Sequence, residues 1–89
     1  MSANSTIHIS SAVVSVLPQH HGEVLRRLAA QPDVETHHSS ASKIVIVMEA
    51  AESGIMGGRL AEIASWHGVL SANMVFEQVA TLAELETRT

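Results

Sequence analysis

The chain repeats one pattern of secondary-structure signals, and this repeat limits its fold more than any other feature. Each half has an apolar strand-like run, an amphipathic helix-like stretch and a second strand-like run. These segments are 7–17, 19–30 and 34–39 in the first half, and 43–50, 53–66 and 69–79 in the second. The order is therefore βαββαβ. Its most economical packing is a four-stranded sheet with both helices on one face and the other face open.

Two of the predicted strands have the composition of central strands. The runs 7–17 and 43–50 carry small or apolar residues on both faces, as strands in the middle of a sheet do. The run 69–79 is apolar on one face and mixed on the other, which is typical of an edge strand. Right-handed crossovers then give the strand order 4-1-3-2. The predicted fold is α+β and ferredoxin-like, an antiparallel sheet with two helices on one face.

Alternation along the strands assigns each side chain to one face of the sheet. The face under the helices is predicted to hold Ala12, Val14, Val16, Val34, Thr36, His38, Ile44, Ile46, Met48, Leu70, Ala72, Met74 and Phe76. The open face is predicted to hold Ser11, Val13, Ser15, Glu35, His37, Val45, Val47, Glu49, Ser71, Asn73, Val75 and Glu77. Such a strip of valines commonly marks an interaction site. From composition alone, the strip is explained equally well by a peptide partner and by cover from the C-terminal tail or from a second copy of the chain.

Several residues mark the ends of the predicted elements. Pro18 ends the first strand and suits the first turn of the helix that follows. Ser53 is predicted to cap the second helix, and Gly68 to adopt a left-handed conformation after it. We expect residues 1–6 to form a flexible N-terminus and residues 7–79 to form a single domain. For residues 80–89, the sequence is compatible with either a short helix or a mobile tail.

Size and charge exclude several classes of function. A domain of 89 residues buries only about two-thirds of its unfolded surface, so an enclosed active site is not expected. The five basic residues are scattered and the net charge is −4, which makes nucleic acid a poor partner and favours a cationic one. The chain has no cysteine, no long apolar run and no export signal at its start. We therefore expect a cytoplasmic protein without membrane insertion.

The chain shows no constellation for catalysis or metal binding. The six histidines include no HxH or HxxxH pair, which would start a zinc site. The serines of the first strand lack the GxSxG turn of a nucleophile. The central strands lack the aromatic residues on which an RNA-binding domain of this topology stacks bases. We expect no enzymatic activity, no catalytic residues, no metal and no cofactor.

Four segments in order resemble the NapD family. They are HISSAVV at 8–14, QPDVE at 31–35, KIVIVMEA at 43–50 and GVLSANMVF at 68–76. Together they span about 7–79, nearly the whole predicted domain. Three positions depart from the family pattern: Pro32-Asp33 replaces proline-glycine, Trp66-His67 replaces leucine-proline before Gly68, and Phe76-Glu77 replaces tyrosine-histidine.

The resemblance implies a small cytoplasmic chaperone for the catalytic subunit of a periplasmic nitrate reductase. Such a chaperone binds the twin-arginine signal peptide of the subunit and holds back export until the molybdenum cofactor is inserted. The peptide, as a helix, is expected to lie across the open face. The predicted peptide-binding residues are Ser11, Val13, Ser15, Glu35, Val45, Val47, Glu49, Asn73, Val75 and Glu77.

Two alternatives stay open. An ACT-like regulatory module shares the βαββαβ topology and binds small molecules, with a glycine in the loop after its first strand. Here that loop holds Pro18 and two histidines, and Gly22 comes only inside the helix. The other alternative is a dimeric ferredoxin-like module without a ligand. Weak self-association through the uncovered sheet is compatible with each of these functions.

Overall fold

A computed structural model describes residues 6–81 as one sheet covered by two helices. The elements are β1 (Thr6–Val16), a 3₁₀ helix (Pro18–His20), α1 (His21–Ala29), β2 (Val34–Ser39), β3 (Lys43–Ala50), α2 (Ser53–Ala64) and β4 (Val69–Thr81). The strand order is β2-β3-β1-β4 with all pairs antiparallel. This is the predicted order 4-1-3-2 read from the other edge, so the ferredoxin-like α+β fold is confirmed.

The ends of the elements differ from the prediction in detail. The first helical stretch starts as a 3₁₀ turn at Pro18, and α2 ends at Ala64 rather than at residue 66. Ser53 is the first helical residue, and Glu52 with its extended backbone holds the capping position instead. β4 continues to Thr81. The predictions for residues 1–5 and 82–89 lie outside the described residues.

The core lies between the helices and the even-numbered residues of the two central strands. Val14 and Ile46 are fully buried there, in one hydrophobic cluster with Leu28 of α1 and Ile63 of α2. Ser10 is also buried, and its hydroxyl donates a hydrogen bond of 2.9 Å to the Met56 Sδ atom of α2. The core assignments of β1 and β3 are confirmed; they are Ala12, Val14, Val16, Ile44, Ile46 and Met48.

β4 departs from strict alternation at two places. Ser15 pairs with Ser71 and Val16 with Val69, so Leu70 is an extra residue without an opposite partner on β1. Ser11 pairs with Phe76 and Ala12 with Met74, which makes Val75 a second extra residue. Each extra residue reverses the faces of all the residues that follow it.

These two bulges overturn part of the predicted core. Leu70 and Phe76 were expected under the helices, but their side chains are 63% and 57% exposed. Met74 keeps the predicted face and is still 39% exposed. Ala72 pairs with Val14 and packs against the core, as expected. Residues 71–74, between the two bulges, lie on the faces predicted for them. From Phe76 onward, each residue lies on the face opposite to the predicted one.

A similar irregularity in β2 corrects the position of His38. Thr36 pairs with Ile46 but His38 pairs with Val45, so the register shifts between them. Directly paired residues of antiparallel strands point to the same face. His38 was expected under the helices, yet it shares the open face with Val45 and is exposed.

Arg59 of α2 fixes the connection between α1 and β2. Its guanidinium donates two hydrogen bonds to the Asp33 carboxylate, at 2.8 and 2.9 Å, and a third to the Gln31 side chain at 2.9 Å. The same group contacts Glu62 at 2.8 Å. Hydrogen bonding to Arg59 lowers the pKa of Asp33. No described residue other than glycine has a positive φ, so Asp33 occupies this turn without backbone strain.

Gly68 takes the predicted left-handed conformation, with φ of +88°. It lies three residues beyond Ser65, the C-cap of α2, and so belongs to the turn into β4. The Gly68 carbonyl accepts a hydrogen bond of 2.9 Å from the Leu17 N–H. The glycine therefore ties the start of β4 to the end of β1.

Candidate functional site: the open face of the sheet

The open face includes four cross-strand rows, which follow from the pairing of the strands. The rows are Lys43–Ser15–Ser71, His38–Val45–Val13–Asn73, Glu35–Val47–Ser11–Phe76 and Glu49–Ile9–Gln78. Neighbouring strands lie about 4.8 Å apart, so a four-residue row spans about 14 Å. No helix packs on the described part of this face, because both helices contact the core residues of the opposite one.

The valines at the centre of the open face are partly accessible. Val13, Val45 and Val47 are half-buried, and they are adjacent because Val13 pairs with Val45 and Ser11 pairs with Val47. Ile9, in the next row, is also half-buried. These side chains form a continuous apolar strip in the middle of the sheet, which a partner can desolvate further.

Eight of the ten residues predicted to bind the peptide are brought together on this face. They are Ser11, Val13, Ser15, Glu35, Val45, Val47, Glu49 and Asn73. Their common location follows from the pairing of β1 with both neighbours, while their role in binding stays a prediction. His37 and Ser71, which were also expected here, border the same face: His37 contacts Glu35, and Ser71 pairs with Ser15.

Two predicted residues are placed differently. Val75 is the extra residue of the second bulge and has no opposite partner on β1. Glu77 pairs with Ser10, whose hydroxyl points toward α2, so Glu77 lies on the helix side of the sheet. Its carboxylate lies 4.0 Å from the His8 Nδ1 atom. The assignment of Glu77 to the rim of the open face was therefore wrong, and the bulge is the reason.

The two remaining carboxylates form an acidic corner, defined here as Glu35 and Glu49. Both line an open cavity of about 440 Å³, together with Pro32, Asp33, Val34 and Val47. Glu35 is exposed and contacts the His37 Nε2 atom at 3.1 Å, whereas Glu49 is exposed and makes no ion pair with any residue in 6–81. Asp33 is already held by Arg59. The acidic corner thus offers a cation two carboxylates without fixed lysine or arginine partners among these residues.

Lys43 places a positive charge at the other end of the open face. Its Nζ atom donates a hydrogen bond of 2.9 Å to the Ser15 hydroxyl, with which it is paired in the register. Glu49 lies six residue steps along β3 from Lys43, which corresponds to about 20 Å along the strand. The face therefore has a negative and a positive end, an asymmetry that sequence reasoning did not anticipate.

Phe76 is the other residue that sequence reasoning missed. It pairs with Ser11 and therefore lies on the open face beside the valines. Alternation along β4 contains no signal for this position, because the bulge at Val75 depends on the register with β1. The adjacent apolar residues Val75 and Phe76 are compatible with either face.

Within residues 6–81, no group of three or more His, Cys, Asp or Glu side chains is arranged to hold a metal ion. The rings of His20 and His67 are in edge-to-face contact, with centroids 4.5 Å apart. No helix in the described part of the chain is long and apolar enough to cross a membrane.

Comparison with known proteins gives consistent matches. The family model described as NapD protein matches residues 7–81. The chaperone NapD of Paracoccus pantotrophus is 39% identical over 80 residues, which cover 90% of this chain and 71% of that protein. This relative is named a chaperone and not an enzyme, which confirms the prediction that the chain is not an enzyme.

Solved structures show the same fold. The solution structure of the E. coli Tat proofreading chaperone protein NapD matches with a TM-score of 0.75 and 23% identity, over 84% of this chain and 81% of that one. A transcriptional regulatory protein of the AsnC family from Pyrococcus furiosus matches with a TM-score of 0.59 and 20% identity, over 82% of this chain and 49% of that one. These likenesses show the fold, whereas the family model and the Paracoccus relative show the family. The chain belongs to the NapD family of chaperones.

Proposed function

We propose that the chain is a cytoplasmic chaperone that binds a twin-arginine signal peptide on the open face of its sheet. The peptide is that of the catalytic subunit of a periplasmic nitrate reductase, and binding delays export until the molybdenum cofactor is inserted. Membership of the NapD family supports the partner, since the E. coli relative is named a Tat proofreading chaperone. The observation that carries the proposal is an apolar strip with an acidic corner.

The apolar strip supplies most of the affinity. Burial of a few hundred Å² of apolar surface at about 25 cal/mol/Å² contributes several kcal/mol before the cost of ordering the peptide. An exposed ion pair contributes only about 0.2–1 kcal/mol. A peptide with a basic end and an apolar segment satisfies both parts of the surface, and the valines dominate the energetics.

The charges set the direction of the peptide. The acidic corner attracts the two arginines, whose guanidinium groups match carboxylates in geometry. Lys43 repels them from the other end of the face. The net charge of −4 favours encounter with a cationic segment from a distance. The peptide is thus oriented with its arginines toward β2 and β3.

Binding on this surface explains how export is delayed without any catalytic step. A signal peptide covered by the chaperone cannot be contacted by the export machinery at the same time. The free fraction of the peptide is set by the chaperone concentration and the dissociation constant, so release is reversible. The chain acts as a competitor for the signal, and the cofactor belongs to the reductase.

Isothermal titration of a synthetic twin-arginine signal peptide tests this proposal. Val45→Asp introduces a charge into the apolar strip, and we expect binding to be weaker by at least about 30-fold. Glu49→Gln removes one carboxylate, and the expected loss is about two- to five-fold. Val79→Asp is the matched control, because Val79 is 53% exposed and pairs with His8 on the helix side.

The control variant should bind within about two-fold of the unmodified chain. Circular dichroism verifies that Val45→Asp folds, and Val45→Thr, which preserves shape and strand propensity, repeats the test if it does not. Unchanged affinity in the folded Val45 variants would show that the peptide binds elsewhere. Absence of binding by the unmodified chain would reject the proposed function itself.

A further inference from the structure

The second bulge of β4 gives the open face an aromatic side chain. Without an extra residue at Val75, Phe76 would point toward the helices and be part of the core. The observed pairing of Phe76 with Ser11 puts it in the row that also contains Val47 and Glu35. Its side chain is 57% exposed. A large apolar residue at this position is available for contact but contributes little to the packing of the core.

Phe76 is distinct among the residues of the open face. The chain contains one phenylalanine, one tryptophan and no tyrosine, and the tryptophan is buried as part of the core. Aromatic residues dominate the energetics of many interfaces because they bury a large area and lose little conformational entropy. Ser11, which lies between Phe76 and Val47 in the row, has a smaller side chain than either of them.

The row that contains Phe76 also fixes a direction across the sheet. Glu35 is at one edge of the row, on β2, and Phe76 is at the other edge, on β4. The two Cα positions are three strand spacings apart, about 14 Å. An α-helix covers this distance in about nine residues at 1.5 Å per residue. Acidic and aromatic contacts can therefore engage opposite ends of one short helical segment.

We propose that Phe76 is the anchor for the apolar segment of the signal peptide, which crosses the strands from the acidic corner to β4. This inference rests on the proposed function and adds the orientation of the peptide and a specificity-determining residue. The arginines lie at Glu35 and Glu49, and an apolar side chain about nine residues later packs against Phe76. The occupant is a peptide with separated cationic and apolar parts because the face has the same separation.

Truncation of single side chains on β4 tests the anchor. Phe76→Ala should weaken binding of the signal peptide by at least tenfold in isothermal titration. Leu70→Ala and Val79→Ala are matched controls, since both side chains are apolar, more than half exposed and on the same strand. Each control should change the affinity by less than twofold. Equal affinities for Phe76→Ala and the unmodified chain, with Val45→Asp still impaired, would overturn the anchor and leave the proposed function intact.

Spin labels test the orientation, and the absence of cysteine from the chain makes single-site labelling possible. A label at Gln78→Cys, beside Phe76 on β4, should broaden the resonances of the apolar segment of the peptide. A label at His38→Cys, on β2, should broaden those of the arginines. The reverse pattern, or equal broadening from both labels, would overturn the crossing direction. The same labelled chain can also be mixed with an unlabelled chain in the absence of peptide. Broadening of the Phe76 resonances of the unlabelled chain would then assign Phe76 to contact with a second copy and overturn the anchor.

Discussion

Substitution of Gly68 by alanine should destabilise the fold more than any other glycine-to-alanine change in residues 6–81. Gly68 has φ of +88°, the only positive φ among the described residues. A Cβ atom at this position would lie 2.5 Å from the His20 Cβ atom and 2.9 Å from its Cγ atom. The His20 Cβ atom is bonded to the backbone of the 3₁₀ helix, so it cannot move away without shifting that helix.

The two effects are of similar size. A left-handed conformation costs an alanine about 1–2 kcal/mol, and a forced contact of this kind costs about 1–3 kcal/mol. The sum is about 2–5 kcal/mol, a large part of the about 5–15 kcal/mol that stabilises a domain. At an m-value of about 1.5 kcal/mol/M, the urea midpoint should fall by about 1–3 M.

Urea denaturation followed by the fluorescence of Trp66, the single tryptophan, measures the loss. The same substitution in a His20→Gly background separates the two effects, because that background has no Cβ atom to collide with. Gly68→Ala should then cost only about 1–2 kcal/mol, with a coupling of about 1–3 kcal/mol between the two sites. A loss below about 0.5 kcal/mol, or equal losses in both backgrounds, would refute the geometric explanation.

Two further predictions concern stability. Gly58 lies in α2 with nothing within 4 Å of an added Cβ atom, so Gly58→Ala should stabilise the chain by about 0.5–1 kcal/mol in the same assay, and a loss would contradict the open environment. Asp33→Asn should destabilise the chain by about 1–2 kcal/mol at pH 7, because Asp33 loses its charged hydrogen bonds to Arg59. Because Arg59 lowers the pKa of Asp33, this contribution is complete above the unfolded value of about 3.9 and is lost as pH falls below it. Denaturation at pH 7 and pH 3 should therefore show the difference between Asp33→Asn and the unmodified chain shrinking in acid, and a constant difference would be inconsistent with the ion pair.

The fold was predictable because hydrophobic alternation is uninterrupted in the two central strands. β3 occupies the predicted range without change, and all the even-numbered apolar residues of β1 and β3 from Ala12 to Met48 that were assigned to the core are buried. A strand that pairs on both sides cannot shift its register without exposing its whole apolar set. The order of the strands then followed from the handedness of the crossovers.

The edge strands were less predictable for the same physical reason. β4 pairs only with β1, so an extra residue at Leu70 or Val75 disturbs one ladder instead of two. Such bulges depend on the partner strand and leave no periodic signal in the sequence. Their effect on the site was large, because the second bulge moved Phe76 onto the open face and Glu77 off it. The position of Lys43 at the positive end of the open face could likewise be assigned only once the register of β1 with β3 was known.

The turn after α1 shows how the structure accommodates a departure from the family pattern. Asp33 stands where the family pattern has glycine. The backbone there needs no positive φ, and Arg59 from α2 holds the carboxylate with two hydrogen bonds. The aspartate thus joins two elements that a glycine could not connect through a side chain.

Chemical-shift mapping tests most directly that the open face is the binding surface. An unlabelled twin-arginine signal peptide is titrated into the ¹⁵N-labelled chain, and the amide resonances are followed. The largest shifts are expected at Val13, Val45 and Val47, with those of Leu28 and Ile63 on the helices nearly unchanged. Shifts confined to α1 and α2, with the amides of the sheet unchanged, would contradict the proposed surface.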